Sequence, residues 1–234
     1  GQIVQCRVDG VLANDITAPL AIASLQRMGA DRVFDPQRIF LVCDHFTPNK
    51  DQDSAEQVKV VREFARRMHI YHYYEGGSSG VEHALLPELG LVGPGEIVVG
   101  ADSHTCTYGA LGAFATGLGS TDVAAAMVLG ETWFKVPATL QVELLGDLSA
   151  WVGGKDIILA LIGRIRVDGA LYKALEFSGP GLGQLGVEAR MTMANMAIEA
   201  GGKAGLFPAD EAVLEYLHNA GRQGDQLLGP DPDA

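Results

Sequence analysis

Two short, continuous apolar runs mark the first half of the chain, RIFLVCD (residues 38–44) and EIVVGAD (residues 96–102), and each ends in an aspartate. Apolar runs of this length favour strands that are buried on both faces of a parallel sheet. Between them, the apolar residues of SAEQVKVVREFARRMHI (residues 54–70) recur at helical spacing, and Ser54 with Gln57 indicates a capping box. The pattern predicts a strand, a helix and a second strand.

The alternation continues to about residue 202. STDVAAAMVLGETWF (residues 120–134) predicts a helix with Ser120 or Thr121 as its N-cap. After Pro137, TLQVELLG and LYKALEFSG predict strands, while KDIILALIGRIR and ARMTMANMAIEAGG predict helices. Alternating strands and helices are typical of an α/β fold in which helices cover both faces of a parallel sheet.

The same pattern predicts how the chain is divided. We expect a first α/β unit over residues 1–137 and a second, smaller α/β unit over residues 138–218, with Pro137 near the boundary. Residues 219–234 are rich in Gly, Pro and Asp, which predicts a linker-like tail.

Composition narrows the class of protein. The chain has 234 residues, 47% of them hydrophobic and 20% charged, which is typical of a soluble globular protein. A net charge of -12 disfavours a nucleic-acid partner, and no apolar run approaches the ~20 residues that span a bilayer. No export signal is visible, and three widely spaced cysteines suit a reducing compartment. We therefore expect a cytoplasmic protein that binds neither nucleic acid nor membranes.

Polar groups follow two of the predicted strands. Asp44 and His45 follow the first, and the DSH sequence at residues 102–104 follows the second. Ligands bind at the carboxyl ends of parallel strands, and an imidazole held by a carboxylate can exchange a proton near neutral pH. A single aspartate here would be explained as a turn cap, but two strand ends with neighbouring histidines indicate an acid–base site. His83, after the β-rich run IYHYYE, is a third candidate.

A polar pair lies in the predicted helix near residue 195. Asn195 and Glu199 are four residues apart, which predicts that they share one helix face. Their Met- and Ala-rich surroundings predict burial of Glu199, and a histidine would be a natural partner for a buried carboxylate.

Two other readings remain open from these residues. GGSSG (residues 76–80) matches the nucleophile elbow of a serine hydrolase, with Ser78 as nucleophile, although Pro87 interrupts the helix that this motif needs. A non-catalytic module that binds small dicarboxylates is the other. The three cysteines lack C-x-x-C spacing, so Cys43 and Cys106 are interpreted as small apolar residues near strand ends.

Several long stretches resemble the aconitase superfamily. They include ANDITAPLAI, VCDHFTPNKD, GSSGVEHALLPE, VVGADSHTCTYGALGAFATGLGSTDVAAAM and RMTMANMAIEAGGKAG, in the family's order. The chain is most similar to the large subunits of the 3-isopropylmalate dehydratase and homoaconitase families. The resemblance implies a three-layer α/β/α fold with a largely parallel sheet. It also implies a [4Fe-4S] hydro-lyase that isomerises a 2-hydroxy acid by dehydration and rehydration, in leucine biosynthesis or, for a homoaconitase, lysine biosynthesis.

The resemblance also implies roles for individual residues. The catalytic residues that it implies form carboxylate–imidazole pairs: Asp44 with His45, His83 with Asp102, and His104 with Glu199. The residues that it implies near substrate carry amides or a hydroxyl: Asn14, Ser103 and Asn195. The first pair resembles the one that protonates the departing hydroxyl.

The family's cluster cysteines lie in a GSCTN segment and a C-x-x-C segment, and neither occurs in this sequence. The resemblance therefore covers about the first half of a large subunit, with no metal ligand among its residues. It implies a small subunit as partner and a hydroxy-dicarboxylic or tricarboxylic acid as substrate. We expect this chain alone to be an inactive fragment.

Overall fold

The computed structural model describes residues 1–230, which contain two parallel sheets and a short antiparallel ribbon. The strands are β1 (Ile3–Arg7), β2 (Gly10–Asn14), β3 (Ile39–Val42), β4 (His72–Tyr74), β5 (Ile97–Gly100), β6 (Phe114–Gly117), β7 (Glu131–Lys135), β8 (Ala138–Glu143), β9 (Lys173–Ser178) and β10 (Ala204–Leu206). The α-helices are α1 (Ala18–Arg27), α2 (Gln52–Arg67), α3 (Glu82–Glu88), α4 (Ser120–Leu129), α5 (Gly154–Ile165), α6 (Val187–Asn195) and α7 (Glu211–Asn219). Short 3₁₀ segments cover Ser103–Leu111, Pro180–Gln184 and Met196–Ala200.

The larger sheet has five parallel strands in the order β4-β3-β2-β5-β6. Strand β2 is central, and the chain moves outward from it first through β3 and β4 and later through β5 and β6. Leu12 pairs with Gly100, so Asn14 and Asp102 lie level at the carboxyl edge. A reversal of strand order of this kind opens a crevice at that edge, where ligands bind in open α/β sheets.

Helices cover both faces of this sheet. Along β2, Val11 and Ala13 pack against α1, α2 and α4, whereas Leu12 packs against α3 and Tyr108 on the opposite face. This alternation follows from the two-residue period of a strand. Buried apolar side chains on both faces explain why the strands are continuously apolar, and the predicted α/β fold with a parallel sheet is confirmed.

The second sheet has three parallel strands in the order β10-β9-β8. Helices α5 and α6 pack on it through Ile158 and Met193, which meet Leu175 and Phe177 of β9. Strands β1 and β7 form the separate antiparallel ribbon. The division of the chain near Pro137 stays a prediction; β7 ends at Lys135 and β8 begins at Ala138.

Both helices predicted in the first half begin at a different residue from the expected one. Helix α2 begins at Gln52, because the Asp51 side chain accepts a 2.8 Å hydrogen bond from the Ser54 amide. The Ser54 hydroxyl in turn accepts from the Asp51 amide, so Ser54 is the third helical residue and its pairing with Gln57 in a capping box is wrong. Helix α4 has Gly119 as its N-cap, which corrects the prediction of Ser120 or Thr121.

Two predicted helices also end early. Helix α4 ends at Leu129 because Gly130 adopts a left-handed conformation at φ +70°, and the ETWF residues that follow belong to β7. The helix predicted over residues 189–202 is α6 followed by the 3₁₀ segment Met196–Ala200. The backbone therefore tightens between Asn195 and Glu199.

In residues 1–230, no helix combines the length and the apolar character needed to cross a bilayer. The predicted tail overlaps the last residue of α7. Residues 220–230 that follow form one β-bridge, between Leu228 and Ala209, and residues 231–234 lie outside the described residues.

Candidate active site

The first carboxylate–imidazole pair follows strand β3. Asp44 Oδ1 lies 2.7 Å from His45 Nδ1, and its other oxygen accepts a 2.7 Å hydrogen bond from the Glu82 amide. The imidazole is therefore held through Nδ1, while Nε2 lies 4.0 Å from Asp102 Oδ2. About a third of the His45 side chain is exposed, which leaves this ring accessible from the crevice.

The second pair joins strand β5 to helix α3. Asp102 Oδ1 lies 2.9 Å from His83 Nε2 and accepts a 2.7 Å hydrogen bond from the His104 amide. Burial raises the pKa of Asp102, but the hydrogen bonds from His83 and the His104 amide outweigh it and lower the pKa to about 2. Asp102 is therefore an ionised acceptor at neutral pH.

The third pair joins the turn after β5 to the 3₁₀ segment Met196–Ala200. His104 Nε2 lies 3.1 Å from Glu199 Oε1, and its Nδ1 lies 3.1 Å from the Ser103 hydroxyl. The rings of His83 and His104 are 6.4 Å apart, so the second and third pairs are neighbours. The prediction that Glu199 is buried is wrong, because its side chain is 53% exposed in the 3₁₀ segment after α6.

The amides that the resemblance places near substrate differ in their surroundings. Asn14 is fully buried, and its Nδ2 donates to Glu82 Oε1 at 3.0 Å and to Asp102 Oδ2 at 3.4 Å. Asn195 Nδ2 instead donates to the Thr107 hydroxyl at 2.9 Å, and that hydroxyl donates to the His104 carbonyl at 2.7 Å. Asn14 is thus part of the hydrogen-bonded site, whereas Asn195 lies beside it.

Sequence reasoning missed three residues that hold this arrangement. Asp15 is buried, and its carboxylate accepts from the amides of His45 and Phe46 at 3.1 and 2.8 Å. The others are Glu82, which is fully buried, and Tyr108, whose hydroxyl donates to the Glu82 carbonyl at 3.2 Å. Two of them could have been found from their sequence neighbours, because Asp15 follows Asn14 at a strand end and Glu82 precedes His83.

The serine-hydrolase alternative depended on Ser78. Its hydroxyl donates to the Glu75 carbonyl at 2.8 Å, and within residues 1–230 no hydrogen bond joins it to a histidine. The nearest histidine in sequence, His83, is paired with Asp102. Among the described residues, Ser78 is therefore not paired with a histidine that could activate it as a nucleophile.

The cysteines were tested against the [4Fe-4S] cluster that the resemblance implies. Cys43 and Cys106 are buried, and burial raises the pKa of each thiol to about 12, which disfavours the thiolate that binds iron. Cys6 lies on β1, in the ribbon. In the described part of the chain, no cysteine belongs to a group of three or more side chains that could share a metal ion. These residues do not fit the cluster.

Comparison with known proteins identifies the family. Residues 1–231 match the aconitase family (aconitate hydratase). The chain belongs to the aconitase family. Similar aconitase-family proteins include 3-isopropylmalate dehydratase large subunits from Oleidesulfovibrio alaskensis, Nitratidesulfovibrio vulgaris and Moorella thermoacetica, at 69%, 70% and 59% identity over the whole of this chain. The resemblance to this family is therefore confirmed.

The match covers only part of each relative. This aconitase-family chain spans 56% of the length of the three large subunits. The carboxylate–imidazole pairs lie within the shared part, at the carboxyl edge of its five-stranded sheet.

Proposed function

We propose that this chain supplies the acid–base side of the active site of a hydro-lyase that isomerises 3-isopropylmalate by dehydration and rehydration. The observation that supports the proposal is the convergence of three imidazoles, each beside a carboxylate, in a member of the aconitase family. The similar large subunits carry the name 3-isopropylmalate dehydratase, which favours that substrate over those of a homoaconitase.

His45 is the proposed acid in this reaction. Asp44 holds Nδ1, so the opposite nitrogen, Nε2, is available to give a proton to the substrate hydroxyl. The carbon–oxygen bond then breaks, water leaves, and a base takes the proton from the adjacent carbon as the double bond forms. Rehydration with the opposite placement of hydroxyl and hydrogen gives the isomer.

The other two pairs orient the leaving hydroxyl or the incoming water. Asp102 holds His83 through Nε2, and Glu199 holds His104 through Nε2. The Ser103 hydroxyl, at His104 Nδ1, and the Asn195 amide are proposed contacts to substrate. The Asn14 amide is buried, so its proposed role near substrate is to hold Asp102 in place. Each carboxylate fixes the ring that it contacts, which keeps the donor and acceptor nitrogens in place through the reaction.

The rest of the site is part of the same proposal. A [4Fe-4S] cluster and the base would come from parts of the complete enzyme other than these residues, with a small subunit as partner. The proposed location is the cytoplasm, where the three free thiols would stay reduced.

The test replaces His45 with Asn in a complete large subunit that contains this sequence, reconstituted with its cluster and small subunit. We expect turnover of 3-isopropylmalate to fall about 10²–10⁴-fold, the usual contribution of a positioned acid. His69→Asn is the matched control, because His69 is exposed and its φ of +55° suits Asn. Undiminished turnover in the His45 variant would refute its assignment as the acid. An assay with homocitrate, run in parallel, distinguishes a 3-isopropylmalate dehydratase from a homoaconitase.

A further inference from the structure

Glu82 is a buried acid to which the proposed mechanism gives no role. It is the first residue of α3 and lies between the Asp44–His45 and His83–Asp102 pairs. Its side chain is inaccessible to solvent, and Oε2 has no hydrogen-bond partner within the described residues. An ionised carboxylate in that position would keep one oxygen buried without a hydrogen-bond donor, which costs free energy.

Within residues 1–230, the only amide that donates to the Glu82 carboxyl group is also a donor to a second carboxyl group. Asn14 Oδ1 accepts from the amides of Ile16 and Thr17 at 3.1 and 3.0 Å, which fixes the orientation of the Asn14 side chain. Its Nδ2 consequently faces both Glu82 Oε1 and Asp102 Oδ2. Two carboxylates this close in a buried site repel one another, so one of the two groups holds a proton.

The hydrogen bonds decide which group is ionised. Asp102 also accepts from the His104 amide and from His83 Nε2 at 2.9 Å. Glu82 Oε1 lies 3.6 Å from the same His83 nitrogen, farther than a hydrogen bond reaches, so Asp102 is the carboxyl group that pairs with it. Asp102 therefore has the donors that stabilise a negative charge, and Glu82 has one neutral amide.

The negative charges around Glu82 also favour its protonated form. Burial is the largest cause that raises the pKa of Glu82; the Asn14 hydrogen bond lowers it, and the negative charges of Asp44, Asp102 and Asp15 raise it further, to about 9. The other titratable groups near its carboxyl group are His83, at 3.6 Å, and His45, with a ring nitrogen within 4.8 Å of a Glu82 carboxyl oxygen. The Tyr108 hydroxyl donates to the Glu82 backbone carbonyl.

We propose that Glu82 is a positioning residue that stays a neutral carboxylic acid at neutral pH, holding the Asn14 amide and leaving Asp102 as the ionised partner of His83. The role in catalysis rests on the proposed function, whereas the protonation state rests on this structure alone. Ionisation of Glu82 places a second anion on Asn14 and weakens the pairing of Asp102 with His83.

The protonation state is tested by NMR of this chain with ¹³C-labelled glutamate carboxyl groups. We expect one carboxyl resonance with a titration midpoint of about 9, while exposed glutamates titrate at about 4.3. Glu82→Gln should remove that resonance, and Glu88→Gln, an exposed position at the end of the same helix, should keep it. If every glutamate of the wild-type chain titrates in the acid range, the proposal is wrong, whether or not the Glu82 variant folds.

The positioning role is tested through the ring nitrogens of His83 by ¹⁵N NMR. In the wild-type chain and in Glu88→Gln, the His83 resonances should shift at the same alkaline midpoint as Glu82. Glu82→Gln should lose that step, because an amide does not titrate in this pH range. The amide can still accept the hydrogen bond from Asn14, so the arrangement of the site is kept. A step that persists in Glu82→Gln, or none in the wild-type chain, would overturn the positioning role. Neither measurement uses turnover, so failure of the proposed function would be seen separately.

Discussion

The negative charge on Asp102 should contribute to the free energy of unfolding of this chain. Replacing Asp102 with Asn keeps an oxygen that can accept from His83 and the His104 amide but removes the negative charge. The pKa of Asp102 falls from its ordinary 3.8 to about 2 on folding. That difference corresponds to about 2 kcal/mol of folding free energy at neutral pH. The new amide hydrogens would also face Asn14 Nδ2, another donor, so the variant should lose at least about 2 kcal/mol.

The sign of the pH dependence follows from the lowered pKa. Because the folded state holds the Asp102 proton less tightly than the unfolded state, the stabilisation is present above 3.8 and is lost as the pH falls through about 2. The destabilisation caused by Asp102→Asn should therefore shrink by about 1 kcal/mol between pH 7 and pH 3.

Denaturant unfolding at the two pH values measures this difference. Asp168→Asn is the control, since Asp168 is exposed and its variant should stay within about 0.5 kcal/mol of wild type at both pH values. An Asp102→Asn variant that matches this control, or one equally destabilised at both pH values, would show that the charge on Asp102 is not held by its hydrogen bonds.

Two other substitutions test the packing that supports the site. A Cβ on Gly117 would lie 2.6 Å from the Asp102 carbonyl oxygen, so Gly117→Ala should cost about 1–3 kcal/mol in denaturant unfolding and displace the 102–104 turn. Unchanged stability would show that this turn moves freely. Arg190 is 1% exposed, donates to the carbonyls of Leu182 and Leu185 and pairs at 2.8 Å with the partly exposed Asp210, so Arg190→Met should lower the free energy of unfolding by about 1–3 kcal/mol. An unchanged urea midpoint would contradict that value.

The sequence predicted the main strands because they are buried on both faces and read as continuous apolar runs. The positions of Asp44 and Asp102 at strand ends follow directly from those runs. Helix ends were harder to predict, since Asp51 and Ser54 are both good capping residues and only the hydrogen bonds distinguish them. The end of α4 was missed for a similar reason, because the left-handed conformation of Gly130 separates a helix from a strand within one apolar run.

The surroundings of the polar residues could not be predicted from local pattern. The burial of Glu82 depends on Asn14, which is distant in sequence and meets it only in the folded chain. The prediction that Glu199 is buried was wrong for the opposite reason. Its sequence neighbours are apolar, but the 3₁₀ turn directs its side chain toward solvent and His104. Spacing along a helix gives the right face only while the helix continues, and α6 ends at Asn195.

The central place of β2 has a consequence for synthesis of the chain on the ribosome. Strand β2 pairs with β5, although residues 15–96 separate the two strands in sequence. Until β5 leaves the ribosome, one edge of an apolar strand has no partner, and such edges pair readily with other chains. Long-range pairing also forms slowly. Newly made chains are therefore most prone to self-association before residue 100 emerges, and a chaperone that covers this edge would act in that interval.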